Sequence, residues 1–516
     1  MRHAAGVLLL VLATGCGSTV QVSSSMTTSD GLGGSTSTTG SSSTSGADGG
    51  LSTTGTTGSP AVPGSSGSGG TVGSSGTGPG GGELPPPAPL PSSATTGLGV
   101  TAKTITVGIM YTTNGDAANA ALGASGLTQG DTLADAKALV DEVNAHGGIA
   151  GRKLLAVYHA TNQQSQDPRA VQDQAACTFF TQDHKVLAVL GSNYTDTLPV
   201  CLQRAGVVFL KAGVIVEEDS TYLRKMSNEF LLGTLAQDRI LTDQVGSFVR
   251  QGWFGGWNTV SGTPGPAPAK VGVITYDDPT FDRALRSALL PALQRAGHPA
   301  ATPDVVEIHT PTSSSDQAGS IAQLKSATLR LQQDGVTHVV LVDTGGGILE
   351  LFANNARTQG YYPRYGVTSG AGVQAIHDTG LVQDNQLNGM AGNGWLPSLD
   401  LTAAASVPYA TAATRHCLAV MKARTGQTYS STNAASIALA YCDQVFLFAQ
   451  AMRAARTLSP AGLVAALEAT GSGFASPVLP RSFLSRAHHD DGVQAWDLNW
   501  VSSCRCVRYS SPHEVR

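Results

Sequence analysis

Five short segments of this chain put polar side chains where an apolar run stops. They are "YTTN" (111–114), "GSNYTDT" (191–197), "KAG" (211–213), "TYDDPTF" (275–281) and "VTSG" (367–370). If the apolar runs are parallel strands, these are the strand ends outside which ligands bind. Helix N-termini beside them present unpaired N–H groups that suit an anionic or polar group. The candidate binding set is therefore Thr112, Thr113, Asn114, Ser192, Asn193, Ala212, Gly213, Tyr276, Asp278, Phe281, Ser369 and Gly370. Such a set recognises a small polar solute and makes no bonds to it. The same residues also fit a plainer role, with Tyr276 and Phe281 as packing and Asp277-Asp278 as solvated turn residues.

Bond-making chemistry has less to work with. "DTGGGILEL" (343–351) follows an apolar run and opens a helical one, as a phosphate loop does. It lacks the G-x-G-x-x-G spacing and the Lys-Ser/Thr pair, so it reads as a tight turn. "RAHHDDG" (486–492) clusters His488, His489, Asp490 and Asp491, but adjacent loop residues rarely converge on one ion, so a solvated loop is expected. No G-x-S-x-G, H-E-x-x-H or C-x-x-C occurs in the folded part, and His416-Cys417 has no triad around it. No catalysis, metal or cofactor is expected.

The chain has 516 residues, 13% of them charged, with 62 Gly and a net charge of −5. The charge content is about half the usual quarter. Lys and Arg are scattered, which argues against a nucleic-acid partner. The first residues, "MRHAAGVLLLVLATGC", give an Arg, an apolar run too short to span a bilayer, small residues and Cys16. This resembles a bacterial lipoprotein signal, with Leu12 one place early and Ala13 in the usual Leu position. The resemblance implies cleavage before Cys16 and a lipid on its sulfur, placing the protein outside the cytoplasm on a membrane. Residues 17–101 are Gly/Ser/Thr-rich with a late "LPPPAPLP" run. They lack the apolar surface to offset ordering entropy and read as a disordered tether with a mean reach of about 50 Å. With Cys16 set aside, Cys177, Cys201, Cys417, Cys442, Cys504 and Cys506 form an even set, which in an exported chain suggests disulfides. Proximity in sequence suggests 177–201, 417–442 and 504–506.

What must position the strand-end residues is legible in the alternation that begins near residue 103. Apolar runs of strand length, such as "TITVGIM", "KLLAVYHA", "VLAVLGSN" and "VVFLKAG", alternate with segments apolar at helical spacing, such as "TLADAKALVDEVNAHGG". That is a parallel sheet covered on both faces. After a helical stretch near 236–252 the pattern restarts with "KVGVITYDD", which suggests a second α/β lobe. In the first lobe, "DEVNAHGGIAGRKLL" (141–155) reads as a helix ending at Gly147, a left-handed position, and a tight turn through Gly148 and Gly151 into a strand.

Asn144, Gly147, Gly148, Ile149, Gly151 and Leu154 in "NAHGGIAGRKL" carry the resemblance that organises the rest. With "ITVGIMYTTNG", "LGSNYTDT" and "VVFLKAG", this segment resembles the type I periplasmic-binding family, in its leucine/isoleucine/valine-binding-protein-like branch. "VGVITYDDPTFDRAL" and "THVVLVDTGGGILELFANNARTQGY" extend the similarity over nearly the whole folded part.

The resemblance implies an α/β clamshell: two Rossmann-like lobes joined by three hinge crossings and closing on a small ligand. Lobe 1 is expected at 103–238 and 393–475, and lobe 2 at 239–392 and 476–510, with "NGMAGNGWLP" as a crossover strand. In the family a Ser hydroxyl after one strand, and main-chain groups plus a Thr hydroxyl after the next, hold a ligand carboxylate. Ser192 matches the first, while Gly213 and Val214 lack the second hydroxyl. Family amino-acid binders place an acidic residue for the ammonium where this chain has Ser314 and Ser369, with Asp316 nearby. Phe281 is followed by Asp282 where the family has Gly. The implied function is an extracytoplasmic solute-binding lipoprotein taking an amino-acid-like, amide or carboxylate ligand to an ABC transporter permease. The alternative is a ligand-sensing or structural surface lipoprotein. A monomer is expected.

Overall fold

The computed structural model describes residues 97–121, 126–212, 218–429 and 432–515. Cys16, Gly213, Val214 and tether residues 17–96 lie outside them. The apolar runs are strands and form two separate sheets. In the first, β1 (Thr104–Thr113), β2 (Lys153–Asn162), β3 (Ala188–Gly191), β4 (Val208–Ala212) and β5 (Glu229–Leu232) run parallel in the order β2-β1-β3-β4-β5. A short hairpin, β6 (Trp257–Asn258) and β7 (Thr263–Pro264), stands apart. The second sheet contains β8 (Val271–Tyr276), β9 (Val305–Ile308), β10 (His338–Leu341), β11 (Arg364–Thr368), β12 (Ala391–Gly394), β13 (Gln494–Val501) and β14 (Cys506–Glu514). Its order is β14-β13-β12-β11-β10-β8-β9, parallel except where β13 pairs with β12 and β14. Each sheet is sandwiched by helices and has its own apolar core, as parallel strands require.

The "NAHGGIAGRKL" segment shows how sequence becomes turn. The helix Thr132–Ala145 starts at Asp131, whose carboxylate accepts from Ala134 N at 3.0 Å. Its last helical residue is Ala145 and its C-cap is His146, one residue before the expected Gly147. Gly147 N then donates to Asn144 O (3.1 Å) and Gly148 N to Val143 O (3.0 Å), a Schellman closure. Gly148 sits at φ +69°, and a Cβ there would overlap the Arg152 carbonyl oxygen. Ile149 and Arg152 then exchange both backbone bonds around Ala150 and Gly151, at φ 49° and 75°. The Asn144 carboxamide pairs both backbone groups of Leu154, at 2.9 and 2.8 Å, and so fixes where β2 starts.

The chain leaves the first sheet after β5 and enters the second through the helix Gln237–Arg250. It returns after β12, so that the helix Thr432–Ala454 covers the first sheet and the helix Ala412–Thr425 packs on that helix and on Thr132–Ala145. It crosses finally into β13. Residues 476–492 still run beside the first sheet: Leu231 N donates to His489 O (2.7 Å) and Asp491 N to Leu231 O (3.1 Å). The last hand-over therefore comes just before Gln494, later than residue 476. Disulfides join Cys177 to Cys201, Cys417 to Cys442 and Cys504 to Cys506, the pairing that sequence proximity suggests.

Candidate functional site

The carboxyl ends of β1, β3, β4 and β5 open into a cavity of about 170 Å³. Thr112, Ser192 and Ala212 line it from the strand ends, and Leu396 and Val478 from the crossing regions. Its far wall is the helix Thr432–Ala454, through Ser436, Ile437, Ala440, Tyr441 and Gln444. That helix is held across the strand ends by its polar side chains. Tyr441 OH donates to Met110 O (3.0 Å), and Gln444 Nε2 donates to Gly191 O and Leu210 O, both at 2.9 Å. Thr112 is fixed by Thr132, whose hydroxyl accepts from Thr112 N (3.1 Å) and donates to Thr112 O (3.0 Å).

The loop after β3 is shaped by a buried acid. Asp173 accepts from Thr195 N (2.7 Å), Thr195 Oγ1 (2.8 Å) and Tyr194 N (3.3 Å). Burial pushes its carboxyl above the usual range while these bonds pull it down. The Arg169 guanidinium stacks 5.1 Å over Tyr194. Asn193 is buried and spends its amide on Thr195 O (2.9 Å), so it shapes the loop from inside. Ser192 is left exposed at the cavity wall.

Other candidates go elsewhere. Thr113 ends β1 half-buried, and Asn114, at φ 58°, turns away to bond Asn162 (3.0 Å). In the second lobe, Phe281 is 2% exposed and packs in the core with its ring 5.6 Å from that of Tyr276; it has no open face for a ligand. Tyr276 is half-buried at the end of β8. Asp278 caps the helix Pro279–Ala284 through Thr280 N (2.8 Å). Ser369 is fully buried and donates to Asp400, while its oxygen accepts from Trp395 N (2.8 Å). Gly370 is a close-packing position, since a Cβ there would overlap the Asp343 carbonyl oxygen. Asp316 Oδ2 is engaged by His309 Nε2 (2.8 Å), Thr312 N (3.0 Å) and Thr312 Oγ1 (3.0 Å), so this acid orders its own loop.

The two lobes touch through named contacts. Arg283 Nε donates to the buried Asp219 carboxylate (2.7 Å), and Arg169 N donates to Thr312 O (2.7 Å). Asp196, on the Ser192 loop, is held above the usual carboxylate range by burial, then by the charges of Asp278 in the other lobe and of Glu218.

The remaining motifs resolve structurally. Asp343 is buried and accepts from Leu349 N (2.8 Å), so the glycine turn after β10 is filled by the chain's own carboxylate. Burial lifts that carboxyl to about 6. The "HHDD" segment is not the solvated loop expected. His489 stacks 4.1 Å from Phe230, Asp490 pairs with Arg239, and Asp491 accepts from Gly233 N (2.7 Å); all three are buried along the last crossing. Among the described residues, no three His, Cys, Asp or Glu are grouped to hold a metal. Cys417 is consumed in its disulfide.

Sequence reading missed Asp173, Tyr441, Gln444 and the crossing acid Asp400. The signal available was polarity in the wrong place: "CDQ" interrupts the otherwise apolar "SIALAY" and "VFLFA" of one helix.

Comparison with known proteins agrees with this geometry. The family described as "Periplasmic binding protein" matches residues 104–498. A possible leucine/isoleucine/valine-binding protein from Rhodopirellula baltica SH 1 superposes with a TM-score of 0.55 at 17% identity, covering 81% of this chain and 98% of the other. A solute-binding protein of an ABC transporter from R. palustris, in complex with 4-hydroxybenzoate, gives 0.56 at 12%, covering 80% and 98%. A branched-chain amino acid transporter substrate-binding protein from Streptococcus pneumoniae, in complex with isoleucine, gives 0.52 at 16%, covering 80% and 99%. No curated protein matches the sequence.

Proposed function

Since the chain belongs to the type I periplasmic binding protein family, we propose that it is the extracytoplasmic solute receptor of an ABC importer, tethered through a lipid on Cys16. It captures one small polar solute in the cavity at the strand ends of the first lobe, and closure of the second lobe presents the loaded form to a permease. The observation that supports this most directly is the cavity itself. It combines an exposed Ser192 hydroxyl, the Ala212 strand end and the Tyr441 ring with residues that flank the hinge, Leu396 and Val478. A ligand there bears on the crossings, so binding and lobe position are linked. Relatives of the same fold were solved with isoleucine and with 4-hydroxybenzoate, which supports a small organic solute here.

A thermal-shift screen of the full chain against amino acids, amides and small carboxylates tests the reading, since a tight ligand raises apparent stability by mass action. At least one compound is expected to raise the melting temperature, and Ser192→Ala is expected to reduce that shift. A folded protein that no compound stabilises refutes solute capture, and an unaltered shift in Ser192→Ala refutes the assignment of the site.

A further inference from the structure

The three disulfides differ in what they hold. Cys417 and Cys442 are both 0% exposed, and Cys177 is 0% exposed beside a half-buried Cys201. Cys504 and Cys506 enclose a single residue, Arg505, with Cys504 exposed and Cys506 buried. On chain entropy, a link this short constrains the unfolded chain roughly twentyfold less, as an equilibrium constant, than the Cys417–Cys442 link spanning 25 residues.

The turn that carries this short bridge is closed without it. Val501 of β13 pairs with Cys506 of β14. Between them Cys504 N donates to Val501 O and Arg505 N to Ser502 O, both at 3.3 Å. Arg505 Nε reaches Asp384 Oδ2 (2.6 Å), and Ser502 Oγ donates to Asn388 Oδ1 (3.0 Å), so two side chains anchor the turn to the neighbouring loop. Arg505 sits at φ 52°, a left-handed conformation that costs a residue with a Cβ. The bridge is thus closed across a strained residue, and opening it permits that residue to relax. The turn is also remote from solute chemistry. β13 runs antiparallel to β12, with Asn499 opposite Ala391, so the turn after Val501 lies at the amino ends of the parallel strands, away from their ligand-binding carboxyl ends.

A bridge that is exposed, closed across strained backbone and redundant to its turn is of the labile kind in thiol–disulfide exchange. We infer that Cys504–Cys506 is a thiol-exchange site on the second lobe, at which a small external thiol becomes joined to Cys504. The external thiolate attacks Cys504 Sγ, the exposed sulfur. A new S–S bond forms to it, the Cys504–Cys506 bond breaks, and Cys506 leaves as a thiolate that takes up a proton. A second external thiolate then attacks the adduct, returns Cys504 as a thiol and departs as the external disulfide. In all, the bridge gains two electrons and two protons, and two external thiols become one disulfide.

Equilibrating the full chain with mixtures of reduced and oxidised glutathione tests this. Acid quenching, alkylation and mass spectrometry of tryptic peptides follow each bridge, and cleavage after Arg505 separates the two sulfurs. Cys504–Cys506 is expected to be half-open at a thiol level at least about tenfold below the level that opens Cys417–Cys442. Cys506→Ser leaves Cys504 as a free thiol, which is expected to take up glutathione from its oxidised form at least about tenfold faster than Cys506 does in Cys504→Ser, because Cys506 is 4% exposed. If neither variant folds, the order in which the bridges of the unaltered protein open still decides. Opening of Cys504–Cys506 only together with the other two bridges makes it a structural bond and overturns the inference. Equal uptake by the two single-cysteine variants overturns the assignment of Cys504 as the attacked sulfur.

Discussion

Asp400 sits where the chain leaves β12 for the first lobe, and it offers the sharpest test of the energetics. It is 1% exposed. Ser369 Oγ and Tyr509 OH both donate to its Oδ2, and Leu396 N adds a bond at 3.3 Å. Burial outweighs these bonds and lifts its pKa to about 7. In the unfolded chain the value returns to 3.8. Between those two values the folded protein holds a proton that the unfolded chain lacks. The contribution of Asp400 to stability is therefore greatest below about pH 4 and declines as pH rises through that window, by up to ~1.4 kcal/mol per pH unit and ~4 kcal/mol in all. Asp400→Asn keeps an oxygen for Ser369 and Tyr509 and cannot ionise. Urea unfolding of both proteins at pH 5, 6, 7 and 8 isolates the group, because other titrating residues cancel in the difference. The variant is expected to gain on the wild type by ~2 kcal/mol between pH 5 and 7 and to level off above pH 8. Parallel curves would mean that Asp400 is already ionised in the folded protein at pH 5, and that burial does not govern it.

Three further outcomes follow from other parts of the molecule. Gly148→Ala forces a Cβ onto the Arg152 carbonyl oxygen at φ +69°, and should cost at least ~2 kcal/mol in urea unfolding; a loss under ~0.5 kcal/mol would show that the turn can relax. Cys417→Ser/Cys442→Ser opens a link spanning 25 residues, and chain entropy sets the loss near ~3 kcal/mol, read from guanidinium midpoints; an unchanged midpoint would refute it. Arg283→Ala removes an ion pair between the lobes whose arginine side is 41% exposed. It should weaken solute affinity by about two- to fivefold with little effect on the unfolding midpoint, whereas an equal loss of stability would make the pair a fold contact and not a closure contact.

The strands were legible because each is an apolar run between turn residues, and the "NAHGGIAGRKL" segment because three glycines sit where left-handed backbone or a close carbonyl demands them. Ser192 and Thr112 were legible as cavity residues for a related reason: an open parallel sheet leaves its strand ends uncovered, so the first polar residues after a strand face open space. The same rule failed for Ser369 and Phe281. Ser369 also follows a strand, but β12 and the crossing behind it cover that strand's end, and Asp400 takes the hydroxyl. Phe281 comes after the strand and inside the following helix, where the apolar face packs inward. Neither cover can be read from local sequence. Gln444 was hidden for the opposite reason: it is a polar residue in a buried helix, distant in sequence from the strands whose carbonyls it meets.

The cavity wall and the hinge share residues, and this decides how the site must work. Gly233 lines the cavity, and its N–H donates to Asp491 of the last crossing at 2.7 Å. Val478 lines it too, and its N–H donates to Ser476 Oγ (3.1 Å), which donates to Asp443 Oδ1 (2.6 Å), the residue beside Gln444. Asp443 is lifted to about 7 by burial, and Asp491 is raised by burial and then by Asp443, so the two carboxyls hold protons at neutral pH more readily than free ones do. A solute in this cavity, beside Gly233 and Val478, would therefore bear on the same backbone that carries the crossing. Any shift of the crossing changes the cavity, and the solute stabilises whichever hinge position fits it best. A receptor with its binding groups far from the crossings would need long side chains to transmit that preference; here the distance is one hydrogen bond.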